Sequence, residues 1–252
     1  MLKTFSICGV QMHSFTIMLG LGMLLALRYV FVQCGQLHLK GNLETKIISA
    51  FPFGIIFGAI FAHLFDVAAH AGFKGIFSAS IFEYGITFQG YVIGIIFYLF
   101  IHSKFTNINY IFLLNFYLPL LAIAQALGRI GCFLGGCCYG KPCSWGAIYP
   151  DNSLAYNFYP NTPLFPIQLL ESAYLFCVFL IIKYFIKFSH AASVYLFFLS
   201  TGRFAFEFLR GDNRGDYVFN LMSPAQTMSL LLLSFAFLIF YTSSVKKKSL
   251  AY

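Results

Sequence analysis

The sequence predicts an all-α integral membrane protein of about seven transmembrane helices with a small outer-side cap. Three observations lead there. Of 252 residues, 60% are hydrophobic and only 10% are charged, where a soluble globular chain carries about 25%. Phe alone occupies 33 positions, so too little polar surface remains to coat a water-soluble fold. Apolar runs near the bilayer length of about 20 residues recur along the whole chain. Residues 1–252 therefore read as one polytopic membrane domain.

The spans fall near 14–34, 47–66, 90–102, 110–130, 166–186, 191–209 and 221–243. All are expected to be helical, because backbone polar groups in lipid must be satisfied within the segment. The third run has 13 residues and reaches a crossing length only if Ile86 to Gln89 extend it. The first run, Ser14 to Cys34, is too long for a signal-peptide core and lacks a small-residue cleavage site. The longest polar segment, 139–165, is rich in Tyr, Pro, Asn and Ser and reads as an ordered cap between spans four and five.

The net charge of +8 reads as orientation charge and headgroup contact. No basic run interleaved with aromatics points to nucleic acid. Loops on the side of the C-terminal tail carry Lys40, Lys46, Lys104, Lys183, Lys187, Lys246, Lys247 and Lys248. Loops on the other side carry Lys3, Lys74, Arg129, Lys141, Arg210 and Arg214. Eight against six places the C-terminus in the cytoplasm and, with seven spans, the N-terminus outside. Symmetric halves with broken helices, which would mark a transporter, are not visible.

Ionisable residues inside apolar spans are costly and mark function. In "GRFAFEFLRGDNRGD", Gly202 to Asp216, a helix would put Arg203, Glu207 and Arg210 on one face. One carboxylate would then sit between two guanidiniums, leaving surplus positive charge suited to a phosphate. The alternative is an ion-paired helix end that snorkels to the interface. In "GRIGCFLGGCCYGKPCSWG", Gly128 to Gly146, Arg129 precedes a glycine-rich turn whose amides could face an anion. A tight re-entrant turn eased by glycine is the alternative. "FEYGITFQG" places Glu83 and Gln89 before a short span, which also fits an interfacial turn. In "FPIQLLES", Gln168 and Glu171 lie one turn apart, either serving the helix N-terminus or lining a polar cavity. His63, Asp66 and His70 have helical spacing that could hold a metal, though interfacial polar residues commonly show the same pattern.

Four thiols, Cys132, Cys137, Cys138 and Cys143, are spaced C-x4-C-C-x4-C. Structural zinc sites use C-x2-4-C pairs, so the spacing fits zinc poorly. A disulfide from Cys132 or Cys137 to Cys143, small apolar filling of a tight turn and a thiolate activated by Arg129 or Lys141 all remain open.

Taken in order, these motifs resemble the bacterial prolipoprotein diacylglyceryl transferase family. "GRIGCFLGGCCYGKPCSWG" resembles its signature loop. "FPIQLLES", "GRFAFEFLRGD", "SPAQTMSL" and "ITFQGYVIG" resemble its other segments, and together they cover nearly the whole chain. Where that family carries His, Asn, an acid, Tyr, His and Tyr, this chain has Gln89, Cys132, Cys137, Phe15, Phe165 and Leu199. The resemblance implies transfer of the diacylglyceryl unit of phosphatidylglycerol to the lipobox cysteine of a prolipoprotein, or a close variant with another acceptor. Glycerol phosphate leaves. It implies catalytic roles for Arg129, Arg203 and Glu207. It implies substrate-binding roles for Arg129, Gly140, Gln168, Gln89 and Arg210. The implied partners are phosphatidylglycerol, membrane lipid and a prolipoprotein signal peptide, in the bacterial cytoplasmic (inner) membrane. No metal and no cofactor is assigned. A non-catalytic phospholipid-binding paralogue is the alternative reading.

Overall fold

The computed structural model of the chain describes residues 4–7, 10–75, 85–212 and 221–249. Lys3, Glu83, Arg214, Asp216 and the side chains of Lys74 and Lys246 to Lys248 fall outside them. A short antiparallel hairpin, β1 (Thr4–Ile7) with β2 (Val10–His13), opens the chain. It pairs Thr4 with His13 and Ile7 with Val10. Nothing in the hydropathy pattern announced it.

The helices follow the apolar runs. They are α1 (Ser14–Gln36), α2 (Asn42–Gly75) and α3 (Phe88–Thr106), then α4 (Tyr110–Tyr117) and α5 (Leu120–Gly135). The short α6 (Leu154–Phe158) precedes α7 (Ile167–Phe185), α8 (Ala191–Phe206) and α9 (Pro224–Ser249). Among the described residues, six helical stretches are long and apolar enough to cross a membrane. The third run does extend to crossing length, reaching 19 residues from Phe88 to a left-handed cap at Asn107. The fourth is two helices, broken where Pro119 brings no backbone N–H. The run expected at 191–209 is shorter than expected. Its helix, α8, has 16 residues and passes into a 3-10 turn at Glu207–Leu209. At 1.5 Å per residue it is about 24 Å long, less than the core of a typical bilayer.

The chain folds as two compact units. One comprises Met1–Tyr29, Pro119–Ile186 and Thr201–Asn213; the other comprises Val30–Leu118, Lys187–Ser200 and Arg214–Tyr252. In the second unit, α2 and α3 lie side by side, with Gly90 and Gly94 against the α2 backbone at Phe61 and Phe57. Small residues let apolar helices approach in this way. Polar side chains close the ends of these helices. His102 Nε2 lies 2.9 Å from the Lys46 carbonyl, and the Tyr117 hydroxyl donates to the Ile47 carbonyl. Gln89 is buried on α3, and its amide donates to the Ala225 carbonyl at 2.9 Å and to Ser229 Oγ at 2.8 Å. His63, Asp66 and His70 do not converge on one point. Asp66 accepts from the Gly85 amide at 2.7 Å, His63 Nδ1 lies 2.9 Å from the Gly85 carbonyl, and His70 Nδ1 lies 2.9 Å from the Asp66 carbonyl.

Asn115 ties two segments of this unit together. It is 2% exposed, its Nδ2 donates to Ile111 O, and its Oδ1 accepts from the Ala192 amide, both at 2.9 Å. Asn115→Leu would leave the first amides of α8 without that acceptor. We expect it to lower stability by about 1–3 kcal/mol, read as a lower unfolding midpoint in detergent than the wild-type chain.

Candidate active site

The first unit gathers most of the charged residues singled out in the sequence. On α5, Ala122, Gln125, Ala126, Arg129 and Cys132 share one buried face at helical spacing. That face meets α7, where Ser172 Oγ donates to the Ala126 carbonyl at 2.8 Å. The residue before it on α7 is Glu171, 3% exposed. Its Oε2 sits 2.6 Å from Arg129 Nε and its Oε1 sits 3.2 Å from Arg210 Nη1. The Arg129 contact is close but off the N–H direction, and Oε2 has no aligned hydrogen bond. It is therefore an ion pair held by charge more than by a directed bond.

Arg210 is also clamped by Asp212, with Nε donating to Oδ1 and Nη2 to Oδ2, both at 2.9 Å. Burial works against its charged form, but Cys138, Glu171 and Asp212 outweigh this, and the guanidinium is held firmly protonated. This corrects the expectation that Arg210 shares a face and a carboxylate with Arg203. The α-helix stops at Phe206, the 3-10 turn resets the phase, and Arg210 is in extended conformation. Arg203 keeps Glu207, Nη1 to Oε2 at 2.6 Å and four residues apart.

The glycine-rich turn after α5 is folded on itself. Gly136 caps the helix at φ 69°, a left-handed conformation natural to glycine, and its carbonyl accepts from Ala155 of α6. Gly140 makes a close approach to a neighbouring segment. A Cβ there would lie 2.6 Å from the Phe165 carbonyl oxygen and 3.0 Å from the Phe165 side chain. Segments 139–141 and 209–211 pair through Lys141 N to Leu209 O at 3.0 Å and Gly211 N to Tyr139 O at 3.1 Å. The amides of Gly136, Cys137, Gly140 and Lys141 all donate to backbone carbonyls. They are therefore not the free anion nest that the glycine content suggested. Gly140 serves by what it lacks, letting three chain segments meet beside Arg210.

Gln168 also departs from the substrate-facing role. It is fully buried, its Nε2 donates to the Cys137 carbonyl at 2.7 Å, and it shares a hydrogen bond with the Tyr149 hydroxyl. Burial holds the Tyr149 phenol up at about 12, more than the Gln168 bond lowers it. Around it, Tyr139, Tyr149, Ala155 and Leu164 form a small core, and β3 (Pro142–Ala147) bridges to Leu164. Gln89 lies in the other unit, committed to α9. None of the described cysteines is in a disulfide, so neither bridge to Cys143 is formed.

The prolipoprotein diacylglyceryl transferase family model matches residues 3–242. The chain belongs to that family. Among relatives carrying the full name phosphatidylglycerol–prolipoprotein diacylglyceryl transferase, one from Clostridium perfringens, numbered 2, is 30% identical over 251 residues, covering 95% of this chain and 94% of that protein. One from Clostridium tetani is 28% identical over 254 residues, 97% and 98% of the two chains. One from Dehalococcoides mccartyi is 28% identical over 252 residues, 97% and 94%. This diacylglyceryl transferase thus holds its Arg129 through Glu171. The sequence named that carboxylate without its partners, because the pairing spans 42 residues between two helices. Asp212 had no signal beyond lying two residues after Arg210.

Removing the shared carboxylate leaves two buried guanidiniums facing each other. Glu171→Gln is expected to destabilise the protein by about 3–5 kcal/mol. Gln168→Ala, which orphans the Cys137 carbonyl, should cost about 1–3 kcal/mol. Thermal unfolding of the purified variants in detergent checks both, and equal midpoints for wild type and Glu171→Gln would contradict the first.

Proposed function

We propose that this membrane transferase moves the diacylglyceryl group of phosphatidylglycerol to the lipobox cysteine of a prolipoprotein, with Arg129 and Arg203 taking the phosphate. A bond forms between the cysteine sulfur and the glyceryl carbon, and the bond from that carbon to the phosphate oxygen breaks. Glycerol phosphate departs with the electron pair, so negative charge grows on the phosphate as the reaction proceeds. Preorganised cations at that place stabilise the transition state more than the ground state.

One observation carries this reading. Glu171 grips Arg129 by Nε, and the two terminal nitrogens of Arg129 have no protein partner among the described residues. A guanidinium held at one edge presents the other two nitrogens as a fork, the geometry that suits phosphate oxygens. Arg203, oriented by Glu207, is the second cation. Arg210 is enclosed between Glu171 and Asp212, so with Gln168 and Gly140 it positions the turn instead of touching lipid. The thiol proton needs an acceptor. Gln89, an amide, has no basic atom and is spent on α9. Glu207, whose Oε2 lacks an aligned hydrogen bond, takes that role.

Transfer from labelled phosphatidylglycerol to a lipobox peptide tests this reading. Arg129→Ala is expected to reduce turnover about 10²–10³-fold. Arg129→Lys should recover little, because an ammonium offers neither the Nε contact nor the fork. Glu207→Gln should lower turnover by more than it weakens lipid binding, because it removes the proton acceptor as well as the partner of Arg203. Full activity in both arginine variants, Arg129→Ala and Arg203→Ala, would refute the headgroup role.

We further propose that the C-terminus is cytoplasmic and the N-terminus outside, in the bacterial cytoplasmic (inner) membrane. The lysine tally and the tail "KKK" at 246–248 support this orientation, and it requires α8 to cross despite its length. A C-terminal fluorescent-protein fusion should glow in cells, while an alkaline phosphatase fusion at the same point should be inactive. The reverse pair of results would overturn the orientation.

A further inference from the structure

The thiols of the signature turn are brought together in a way their spacing does not announce. Cys132 lies in the last turn of α5, Cys137 follows the left-handed cap at Gly136, and Cys138 itself has a positive φ of 57°. The three Sγ atoms all lie within 4.8 Å of one another. Cys132 is buried and the other two are half-buried. Among the described residues this is the one group of three His, Cys, Asp or Glu placed to hold a metal ion.

The backbone holds this cluster from outside. The carbonyl of Gly136 accepts from Ala155, that of Cys137 from Gln168, and that of Tyr139 from Gly211. Three separate segments thus fix the residues that carry and flank the thiols. A left-handed conformation at a residue with a side chain persists only where its surroundings impose it, and at Cys138 it keeps that thiol with the other two.

We propose that Cys132, Cys137 and Cys138 form a three-sulfur site for a soft monovalent cation, Cu(I). Thiolate sulfur selects soft ions. Metal–sulfur bonds of about 2.3 Å around a planar three-coordinate ion place the sulfurs about 4 Å apart, close to what the turn already provides. A disulfide would need a much closer sulfur pair, at about 2.05 Å. Structural zinc takes four protein ligands, and this group supplies three. The charge also fits. Three thiolates and one Cu(I) leave a net negative site, and the Arg210 guanidinium lies within electrostatic reach of Cys138. The site does not depend on the transferase reading, since it stands on these three residues alone.

The full chain, purified in detergent under anaerobic reducing conditions, is titrated with Cu(I) against a chromogenic Cu(I) chelator. We expect one tightly held Cu(I) per chain, with three sulfur neighbours and no nitrogen or oxygen neighbour by X-ray absorption. Cys138→Ser and Cys137→Ser should each weaken binding at least about tenfold, while Cys143→Ser and Cys177→Ser should bind as the wild type does. Cys132→Ser replaces a buried thiol, so the half-buried pair carries the test, with metal-free unfolding midpoints matching wild type as proof of folding. Failure to compete for Cu(I), or unchanged binding in both Cys137→Ser and Cys138→Ser, would overturn the proposal. Tetrahedral bands on loading with Co(II), showing a fourth ligand, would overturn the three-coordinate assignment.

Discussion

Glu171 lies almost out of reach of solvent between the guanidiniums of Arg129 and Arg210. A carboxylate there would be costly alone, and each arginine would be costly without it. Together with Asp212 they make a set of two cations and two anions that the surrounding helices can tolerate. The arrangement fixes more than charge. It sets where α7 meets α5, it anchors the chain leaving the 3-10 turn after α8, and it leaves Arg129 gripped along one edge only. In the proposed reaction, the edge of Arg129 offered to a phosphate is the one this carboxylate leaves uncovered.

The glycine-rich turn works by exclusion in the same region. Gly136 gives the chain its reversal and Gly140 lets segments 139–141, 165 and 209–211 meet with no side chain between them. Gln168 fastens that turn to α7 from within. Arg129 at one end of the motif and Arg210 beside the other are therefore held by one compact structure, and both answer to Glu171. A phosphate leaving group gains most from cations that need not move when its charge appears, and in the proposed mechanism this packing is what would keep Arg129 still.

The helices were largely legible because lipid imposes a simple demand on composition and length. The runs at 14–34, 47–66, 110–130, 166–186 and 221–243 all appear as helix, with 110–130 split by Pro119. The register after α8 was not legible. A continued α-helix would have kept Arg210 with Arg203 and Glu207, and no residue in "EFL" signals the change to a tighter turn. The motif residues were legible as a family pattern, but their tasks were not. Gln168 and the amides of Gly140 and Lys141 look like ligand donors in sequence because the carbonyls that occupy them come from distant segments. Cys132, Cys137 and Cys138 look too widely spaced for one ion until the left-handed residues at 136 and 138 fold the chain back. Substitution of Gln89 for His is visible in sequence, but its bonds to Ala225 and Ser229 are not.

The account rests on Arg129 meeting a phosphate while Glu171 holds its other edge. An experimental structure of the chain with phosphatidylglycerol bound would test this most directly. The account predicts a headgroup phosphate oxygen within hydrogen-bond distance of a terminal nitrogen of Arg129, with the Arg129–Glu171 pair intact. A phosphate bound away from Arg129, or an Arg129 that has left Glu171 to reach it, would contradict the account.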